Sequence, residues 1–143
     1  MKGIRSDRLE SWFETNVEDA RPPLRFSLIT GGHSNLTYLV EDAAGRKRVL
    51  RRPPTGAVLA TAHDMAREHR ILSALAPTPV PVPRTLGLCE DESVNDAPFY
   101  VMDYVEGVVL TGPDQTREAV PEDRRETLGI HVIEVLALSL IHI

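Results

Sequence analysis

A pair of glycines between two apolar segments is the sequence feature that most constrains how this chain can fold. Residues 26–40 read Phe-Ser-Leu-Ile-Thr-Gly-Gly-His-Ser-Asn-Leu-Thr-Tyr-Leu-Val, which predicts two strands joined by a turn of small residues. The residues of that turn are Gly31, Gly32, Ser34 and Asn35. Glycine adopts positive φ without strain, and serine and asparagine add short side chains that form hydrogen bonds. The turn can therefore close an ordinary hairpin, or its N–H groups can surround an anion.

The composition indicates one soluble domain, or part of one, in a reducing compartment. Of the 143 residues, 42% are hydrophobic and 26% are charged, which suffices for a core of ordinary size. The formal net charge of −5 argues against a general nucleic-acid binder, whose phosphate contacts need a basic face. The single cysteine, Cys89, excludes an internal disulfide and a cysteine-built zinc site, and its apolar neighbours predict a core position. The polar amino terminus, and the lack of any apolar run near ~20 residues, predict a cytoplasmic protein without a membrane partner.

Hydrophobic spacing predicts an amino-terminal helix followed by three antiparallel strands. Apolar residues at helical intervals predict a helix over residues 6–16, with Ser6 or Asp7 as its N-cap and Trp12 as a packing anchor. A Pro-Pro pair then ends the helical pattern. Strands are predicted near residues 24–30, 37–41 and 46–52, with a turn at residues 42–45 between the last two.

A second predicted helix, over residues 61–75, carries a carboxylate among apolar residues. Its stripe at three- and four-residue intervals consists of Met65, Glu68, Leu72 and Leu75. A charge on a core-facing stripe is costly without a cation, so Glu68 is expected to have a partner on the neighbouring sheet. The alternative is that Glu68 lies at the edge of the stripe and pairs at the surface with Arg67 or His69.

The second half of the sequence supplies two further strands and a final helix. Prolines in residues 76–83 predict an extended connector within the domain, with an SH3-type ligand as the alternative. Strands are predicted over residues 84–89 and 99–104, separated by an acidic turn at residues 90–97. The last strand is apolar throughout, which is typical of a central strand, and runs into a linker at Glu106 and Gly107. Residues 111–118 are a predicted polar connector, and Pro121 begins the final helix.

Five short motifs follow one another at suitable intervals along this pattern. They are Gly-Gly-His-Ser-Asn-Leu-Thr-Tyr, Val-Leu-Arg-Arg-Pro-Pro, Arg-Glu-His-Arg-Ile-Leu-Ser-Ala-Leu, Val-Pro-Arg-Thr-Leu-Gly-Leu-Cys and Phe-Tyr-Val-Met-Asp-Tyr-Val-Glu-Gly. Together they resemble the aminoglycoside phosphotransferase (APH/choline kinase-like) family over about residues 6 to 136. The Arg-Arg-Pro-Pro strand end resembles the branch of that family that also occurs fused to acyl-CoA dehydrogenases.

The resemblance implies an α+β fold, the amino-terminal lobe of the protein-kinase-like enzymes. That lobe is a five-stranded antiparallel sheet with one packed helix, here with an added amino-terminal helix, and the first helix of the carboxy-terminal lobe follows it. The expected divisions are a helix and linker over residues 1–23, a nucleotide-binding lobe over 24–107, an interlobe linker and first helix of the second lobe over 108–137, and an aberrant tail over 138–143.

The resemblance also implies where the phosphates of a nucleotide such as ATP bind. The turn residues Gly31, Gly32, Ser34 and Asn35 match the loop that covers the phosphates. Arg51 matches the strand lysine that holds the α- and β-phosphates, and Glu68 matches its helix partner. Arginine keeps the charge in a planar fork, which leaves its reach to ATP open. The alternative is that Arg51 is a solvated strand cation. The adjacent Arg52 lies on the opposite face by strand alternation, so it could be mistaken for the matching residue but does not occupy that position.

The adenine ring is expected on the same face of the sheet as Arg51. Val49 matches the small apolar residue above adenine, and Met102 matches the residue at the back of the pocket. Asp103 and Val105 match the hinge residues whose backbone carbonyl and N–H groups meet the adenine edge. At Met102 and Val105, ordinary core and linker positions would have the same residues, so the sequence does not separate the two interpretations there.

Phosphoryl transfer needs groups that these residues do not include. The family's His-Gly-Asp-x-x-x-x-Asn loop is absent from the sequence, as is the later Asp that binds metal. The protein is therefore expected to be a truncated, ATP-binding portion of a small-molecule kinase. It has no catalytic or metal-binding residue of its own, and Mg²⁺ is expected for the complete protein.

The expected partners are the nucleotide and, in the full-length protein, a small-molecule acceptor with a hydroxyl group. The sequence gives neither the identity of that acceptor nor the oligomeric state. Two other interpretations remain open: a non-catalytic nucleotide-binding or regulatory module with the same lobe, and a generic α+β domain whose Gly-Gly turn binds nothing.

Overall fold

Five strands form one antiparallel sheet in the computed structural model, which describes residues 1–29, 35–56 and 64–142. The strands are β1 (Arg25–Leu28), β2 (Leu36–Glu41), β3 (Lys47–Arg52), β4 (Thr85–Cys89) and β5 (Phe99–Asp103). The helices are α1 (Ser6–Asn16), α2 (Met65–Leu75), α3 (Glu92–Asn95), α4 (Pro113–Ala119) and α5 (Glu122–His142). The sheet order is β1-β2-β3-β5-β4, so β5 is an inner strand. The predicted α+β fold with a five-stranded antiparallel sheet is confirmed.

Alternation along β3 divides the sheet into two faces with different roles. Two rows of cross-strand neighbours share one face, which we call the cleft face: Leu39, Val49 and Met102, and then Thr37, Arg51 and Tyr100. They share it because residues i and i+2 of a strand point to the same side. We call the opposite side the core face, and Leu50 and Arg52 of β3 point to it.

The main apolar cluster lies on the core face, beneath α1. Leu9 and Phe13 of α1 are fully buried there, and Cys89 is a buried member of the same cluster, as its neighbours in the sequence predict. Trp12 packs edge-on against Phe99, with ring centroids 4.9 Å apart, so it is the packing anchor that its spacing predicts. Burying each large apolar side chain contributes ~1.5–3 kcal/mol, so α1 stabilises the sheet.

Arg52 is a buried structural cation on the core face, where only 3% of its surface is exposed. Its Nη1 donates to the carbonyl oxygens of Gly3 at 2.5 Å and Asn95 at 2.9 Å, and its Nε donates to that of Pro53 at 3.1 Å. Arg52 therefore ties the amino-terminal segment and α3 to the sheet.

The turn between β2 and β3 is organised by the buried carboxylate of Asp42. It accepts hydrogen bonds from the N–H groups of Ala44 at 2.9 Å, Arg46 at 3.0 Å and Arg21 at 3.3 Å. The guanidinium groups of Arg46 and Arg48 pair with it at 3.0 and 3.4 Å. Burial raises the pKa of Asp42, but these hydrogen bonds outweigh burial and lower the pKa to about 2. The predicted turn thus holds a stable anion.

Three local predictions are wrong. Ser6 and Asp7 both lie inside α1; its N-cap is Arg5, whose N–H donates to the side chain of Asn95 at 2.9 Å, so a tertiary contact sets the start of the helix. The predicted acidic turn contains the short helix α3, capped by Asp91. The predicted polar connector at residues 111–118 is largely α4, because its proline occupies the first helical turn, where no N–H donor is required.

The remaining boundaries are close to the predictions. Helix α2 begins at Met65, and residues 61–63 of the predicted helix lie outside the described residues. Residues 138–142, within the predicted tail, continue α5. Across the described ranges, the helices lack the combination of length and apolar character that a bilayer crossing requires.

Candidate functional site

Arg51 of β3 and Glu68 of α2 meet on the cleft face. Arg51 Nε lies 3.0 Å from Glu68 Oε2, with 33% and 29% of the two side chains exposed. The Asp64 side chain accepts from the N–H of Arg67 at 2.8 Å, which caps α2 and fixes the turn on which Glu68 lies. Glu68 therefore has the sheet cation that its stripe position requires, and the alternative surface pairing with its helix neighbours is not the one formed.

The Arg51–Glu68 contact is an ion pair rather than a directed hydrogen bond. Although the two atoms are 3.0 Å apart, the buried Nε–H of Arg51 makes no hydrogen bond with any residue that the structure describes. Charge attraction at this distance holds without linear geometry, whereas a hydrogen bond weakens steeply as the angle closes. The guanidinium is therefore attracted to Glu68 without being locked to it.

Two other side chains donate to the same carboxylate. Asn35 Nδ2 donates to Glu68 Oε1 at 2.9 Å, and the Tyr100 hydroxyl donates to Glu68 Oε2 at 3.1 Å. Both residues are buried, with 9% and 2% of their surfaces exposed. Burial, and then the adjacent Glu68 carboxylate, raise the pKa of the Tyr100 hydroxyl, so it remains a proton donor at neutral pH.

Only part of the glycine turn can be placed. Asn35 is described, directly before β2, whereas Gly31, Gly32 and Ser34 lie outside the described residues. Asn35 contributes to the site through its contact with Glu68, which sequence reasoning did not anticipate.

A mostly apolar cleft of about 640 Å³ opens beside this cluster. Four predicted residues line it together: Val49, Met102, Asp103 and Val105. Thr37 and Leu39 of β2 also line it, because they pair with Arg51 and Val49 across the β2–β3 ladder. The volume lies in the range of small-molecule sites, and Arg51 is two residues, roughly 7 Å, along β3 from Val49.

The far wall of the cleft is the segment Pro81, Val82 and Pro83 before β4. Sequence reasoning treated this segment as a connector, with an SH3-type ligand as the alternative, and not as a wall of a cleft. It also missed Thr37, Leu39 and Tyr100, although the same period-two alternation that placed Val49 and Arg51 could have found them.

Two backbone N–H groups at and just after the end of β5 differ in whether they can donate to a ligand in the cleft. The N–H of Asp103 donates to the carbonyl of Arg84 at 2.9 Å, and the two side chains also pair at 3.2 Å. Two residues on, Val105 is 68% exposed, and its N–H has no hydrogen bond to any residue in the described ranges. The backbone at Val105 can therefore donate to a ligand in the cleft.

Comparisons with known proteins place this arrangement in a family. The sequence matches the model of the phosphotransferase enzyme family (APH) over residues 25–138. It is 39% identical over 145 residues to acyl-CoA dehydrogenase family member 10 of Mus musculus, a match that covers 96% of this chain and 14% of that protein. It is 36% identical over 138 residues to the Arabidopsis thaliana protein named probable acyl-CoA dehydrogenase IBR3, covering 92% of this chain and 16% of that protein.

A solved structure has the same fold. The crystal structure assigned as an aminoglycoside phosphotransferase of Ralstonia eutropha JMP134 superposes with a TM-score of 0.73 and 33% sequence identity, over 92% of this chain and 36% of that chain. The sheet and its helices are thus those of a kinase-like amino-terminal lobe. Because the family model and this likeness cover most of the residues, the chain belongs to the phosphotransferase enzyme family.

Proposed function

We propose that this chain is the ATP-binding portion of a small-molecule phosphotransferase that transfers the γ-phosphate to a hydroxyl acceptor. The observation that supports this most is the Arg51–Glu68 pair, two strand positions from an apolar cleft. A cation beside an apolar slot matches the two halves of a nucleotide, one charged and one aromatic.

The cleft fits an adenine ring. Leu39 and Val49 offer an apolar surface on one side, and Met102 closes the cleft on the β5 side. The open N–H of Val105 is a donor for a ring nitrogen, and the backbone carbonyl of Asp103 is the proposed acceptor. Apolar walls with a few placed polar groups are typical of small-ligand sites.

The phosphates would lie toward Arg51 and the glycine turn. The Arg51 guanidinium can form two parallel hydrogen bonds to one phosphoryl group, which a lysine cannot. The N–H groups of Gly31, Gly32 and Ser34 are the proposed cover over the phosphates. ATP supplies the phosphoryl group that is transferred; this chain binds and orients the donor.

The transfer itself requires groups outside these residues. No His-Gly-Asp sequence occurs in the protein, so we propose that the catalytic base and the Mg²⁺ ligands belong to the rest of a longer protein and that this chain alone is inactive. Two relatives carry acyl-CoA dehydrogenase in their names, and a hydroxylated acyl group is therefore the acceptor we favour. The second candidate is a non-catalytic nucleotide-binding module with the same lobe.

Two substitutions separate the adenine and phosphate parts of the proposal. Val105→Pro removes the open N–H and is expected to weaken ATP and adenosine binding equally, by about 0.5–1.5 kcal/mol. Arg51→Met is expected to weaken ATP binding by about 1.5–3 kcal/mol and to leave adenosine binding unchanged. Isothermal titration calorimetry of the 143-residue chain measures both ligands.

The matched controls are exposed residues that do not themselves line the cleft. Val108→Pro changes another exposed linker valine, and Arg25→Met removes an exposed cation from β1. Neither is expected to change either affinity. A wild-type protein without saturable ATP binding contradicts the proposal, as does equal sensitivity of the controls. In the complete protein, ATP-dependent phosphorylation of an acceptor panel supports the kinase, and ATP binding without any turnover supports the non-catalytic module.

A further inference from the structure

We propose that Asn35 and Tyr100 are positioning residues that orient Arg51 toward the nucleotide phosphates by holding the Glu68 carboxylate, an inference that rests on the proposed function. The two donors come from separate segments of the chain: Asn35 directly precedes β2, and Tyr100 lies in β5. Neither needs to touch the nucleotide for this role.

Each oxygen of Glu68 has its own buried donor. Asn35 holds Oε1, and Tyr100 holds Oε2, the oxygen that also attracts Arg51. One donor would leave the carboxylate free to rotate about that contact. Two donors, on opposite oxygens and from different segments of the chain, fix both its position and its plane. The charge that attracts Arg51 is therefore fixed as well.

The Arg51–Glu68 pair alone does not supply this order. Both side chains are about one third exposed, and the Nε–H of Arg51 makes no hydrogen bond within the described residues. Exposed ion pairs between long side chains contribute little, because ordering them costs rotamer entropy. The rigid parts of the cluster are the buried Tyr100, which faces Arg51 directly across the β3–β5 ladder, and the buried Asn35.

The His69 ring supports Tyr100 from α2. It lies edge-on to the Tyr100 ring, with centroids 6.2 Å apart, so residues 68 and 69 both contact the tyrosine. The bond from Asn35 to Glu68 spans 33 positions of sequence and joins the residue that follows the glycine turn to α2. The Glu68 carboxylate thus joins Arg51, Asn35 at the end of the glycine turn, and helix α2 in one cluster.

The test is the ratio of ATP to adenosine affinity, because a positioning defect affects the phosphates and a packing defect does not distinguish the ligands. In the 143-residue protein, Tyr100→Phe and Asn35→Ala are each expected to lower that ratio by about tenfold, the low end of the effect of one lost hydrogen bond to a charged group. Tyr38→Phe is the matched control. It removes an equally buried tyrosine hydroxyl, bonded to the Lys2 carbonyl on the core face, and should leave the ratio unchanged.

A double-mutant cycle shows whether the two residues act through Glu68. In a Glu68→Ala background, Tyr100→Phe and Asn35→Ala should have no further effect on the ratio. The same loss in both backgrounds overturns the inference and makes Asn35 a direct phosphate ligand. Circular dichroism and urea unfolding establish that each variant is folded at the temperature of the titration.

The outcomes separate this inference from the proposed function. A wild-type protein that prefers ATP, with variants that keep the wild-type ratio, overturns the positioning role and leaves ATP binding intact. A wild-type protein that binds ATP no better than adenosine overturns both.

Discussion

Replacing Asp42 by asparagine is expected to remove a pH-dependent contribution of about 2 kcal/mol to stability, present at pH 7 and almost absent near pH 2. The carboxylate is buried in the β2–β3 turn and accepts from three backbone N–H groups while two arginines pair with it. Its pKa falls from 3.8 to about 2 on folding. Each pKa unit corresponds to about 1.36 kcal/mol, so a shift of nearly two units corresponds to about 2 kcal/mol.

The sign of the pH dependence follows from the lowered pKa. A carboxylate that is harder to protonate in the folded state stabilises that state fully above the unfolded pKa of about 4. The contribution is lost as the pH falls from about 4 towards 2, where the folded protein also takes up the proton. Asparagine keeps an oxygen acceptor for Ala44 and Arg46 but has no charge, so the variant lacks this pH-dependent contribution.

Urea unfolding at a series of pH values measures the effect. The single tryptophan, Trp12, packs against Phe99 on the core face and reports the loss of tertiary structure. The wild-type advantage over Asp42→Asn should be constant from pH 7 to 5 and then shrink. Glu41→Gln, which removes the partner of the exposed Arg25, is the control and should cost under about 1 kcal/mol at every pH. A stability difference that does not change between pH 5 and 2.5 would refute the linkage reasoning.

Two further substitutions test the core face. Gly87→Ala would place a Cβ 2.9 Å from Cη2 of the Trp12 ring, so we expect a loss of about 1–3 kcal/mol in urea unfolding, relieved when Trp12 is also replaced by leucine. If the loss persists with leucine at position 12, the contact is not its cause. Arg52→Met would leave the carbonyls of Gly3 and Asn95 without their donor and should cost about 2–4 kcal/mol, whereas Arg51→Met should cost under about 1 kcal/mol. Equal losses for the two arginines would contradict the assignment of the faces.

Local patterns were sufficient to predict most of the sheet and part of the site. Period-two alternation depends only on the strand itself, so the opposite faces of Arg51 and Arg52 follow from it directly. Glu68 is a charged residue on an apolar stripe, so it was predicted to have a cationic partner, and in the structure that partner is Arg51. These predictions succeed because each rests on a geometric repeat or on the cost of an unpaired charge.

What the sequence did not predict depends on contacts between distant segments. The burial of Arg52 requires carbonyls from Gly3 and Asn95, which lie 49 and 43 positions away. The two extra donors to Glu68 are Asn35, directly before β2, and Tyr100 in β5, and no local pattern links either residue to it. Such pairings become visible only when the sheet order and register are known.

The register of β3 connects the turn at Asp42 to the site. A slip of one residue in a strand exchanges its two faces, so it would turn Arg52 toward Glu68 and Arg51 toward the apolar cluster under α1. The β2–β3 ladder pairs Thr37 with Arg51 near one end. At its other end lies the turn that is held by hydrogen bonds to the Asp42 carboxylate. Asp42 does not itself line the cleft, yet the hydrogen bonds it accepts help to fix which of two adjacent arginines faces the proposed phosphate site. Asp42→Asn should therefore weaken ATP binding together with stability, whereas Arg51→Met should weaken ATP binding and leave stability nearly unchanged.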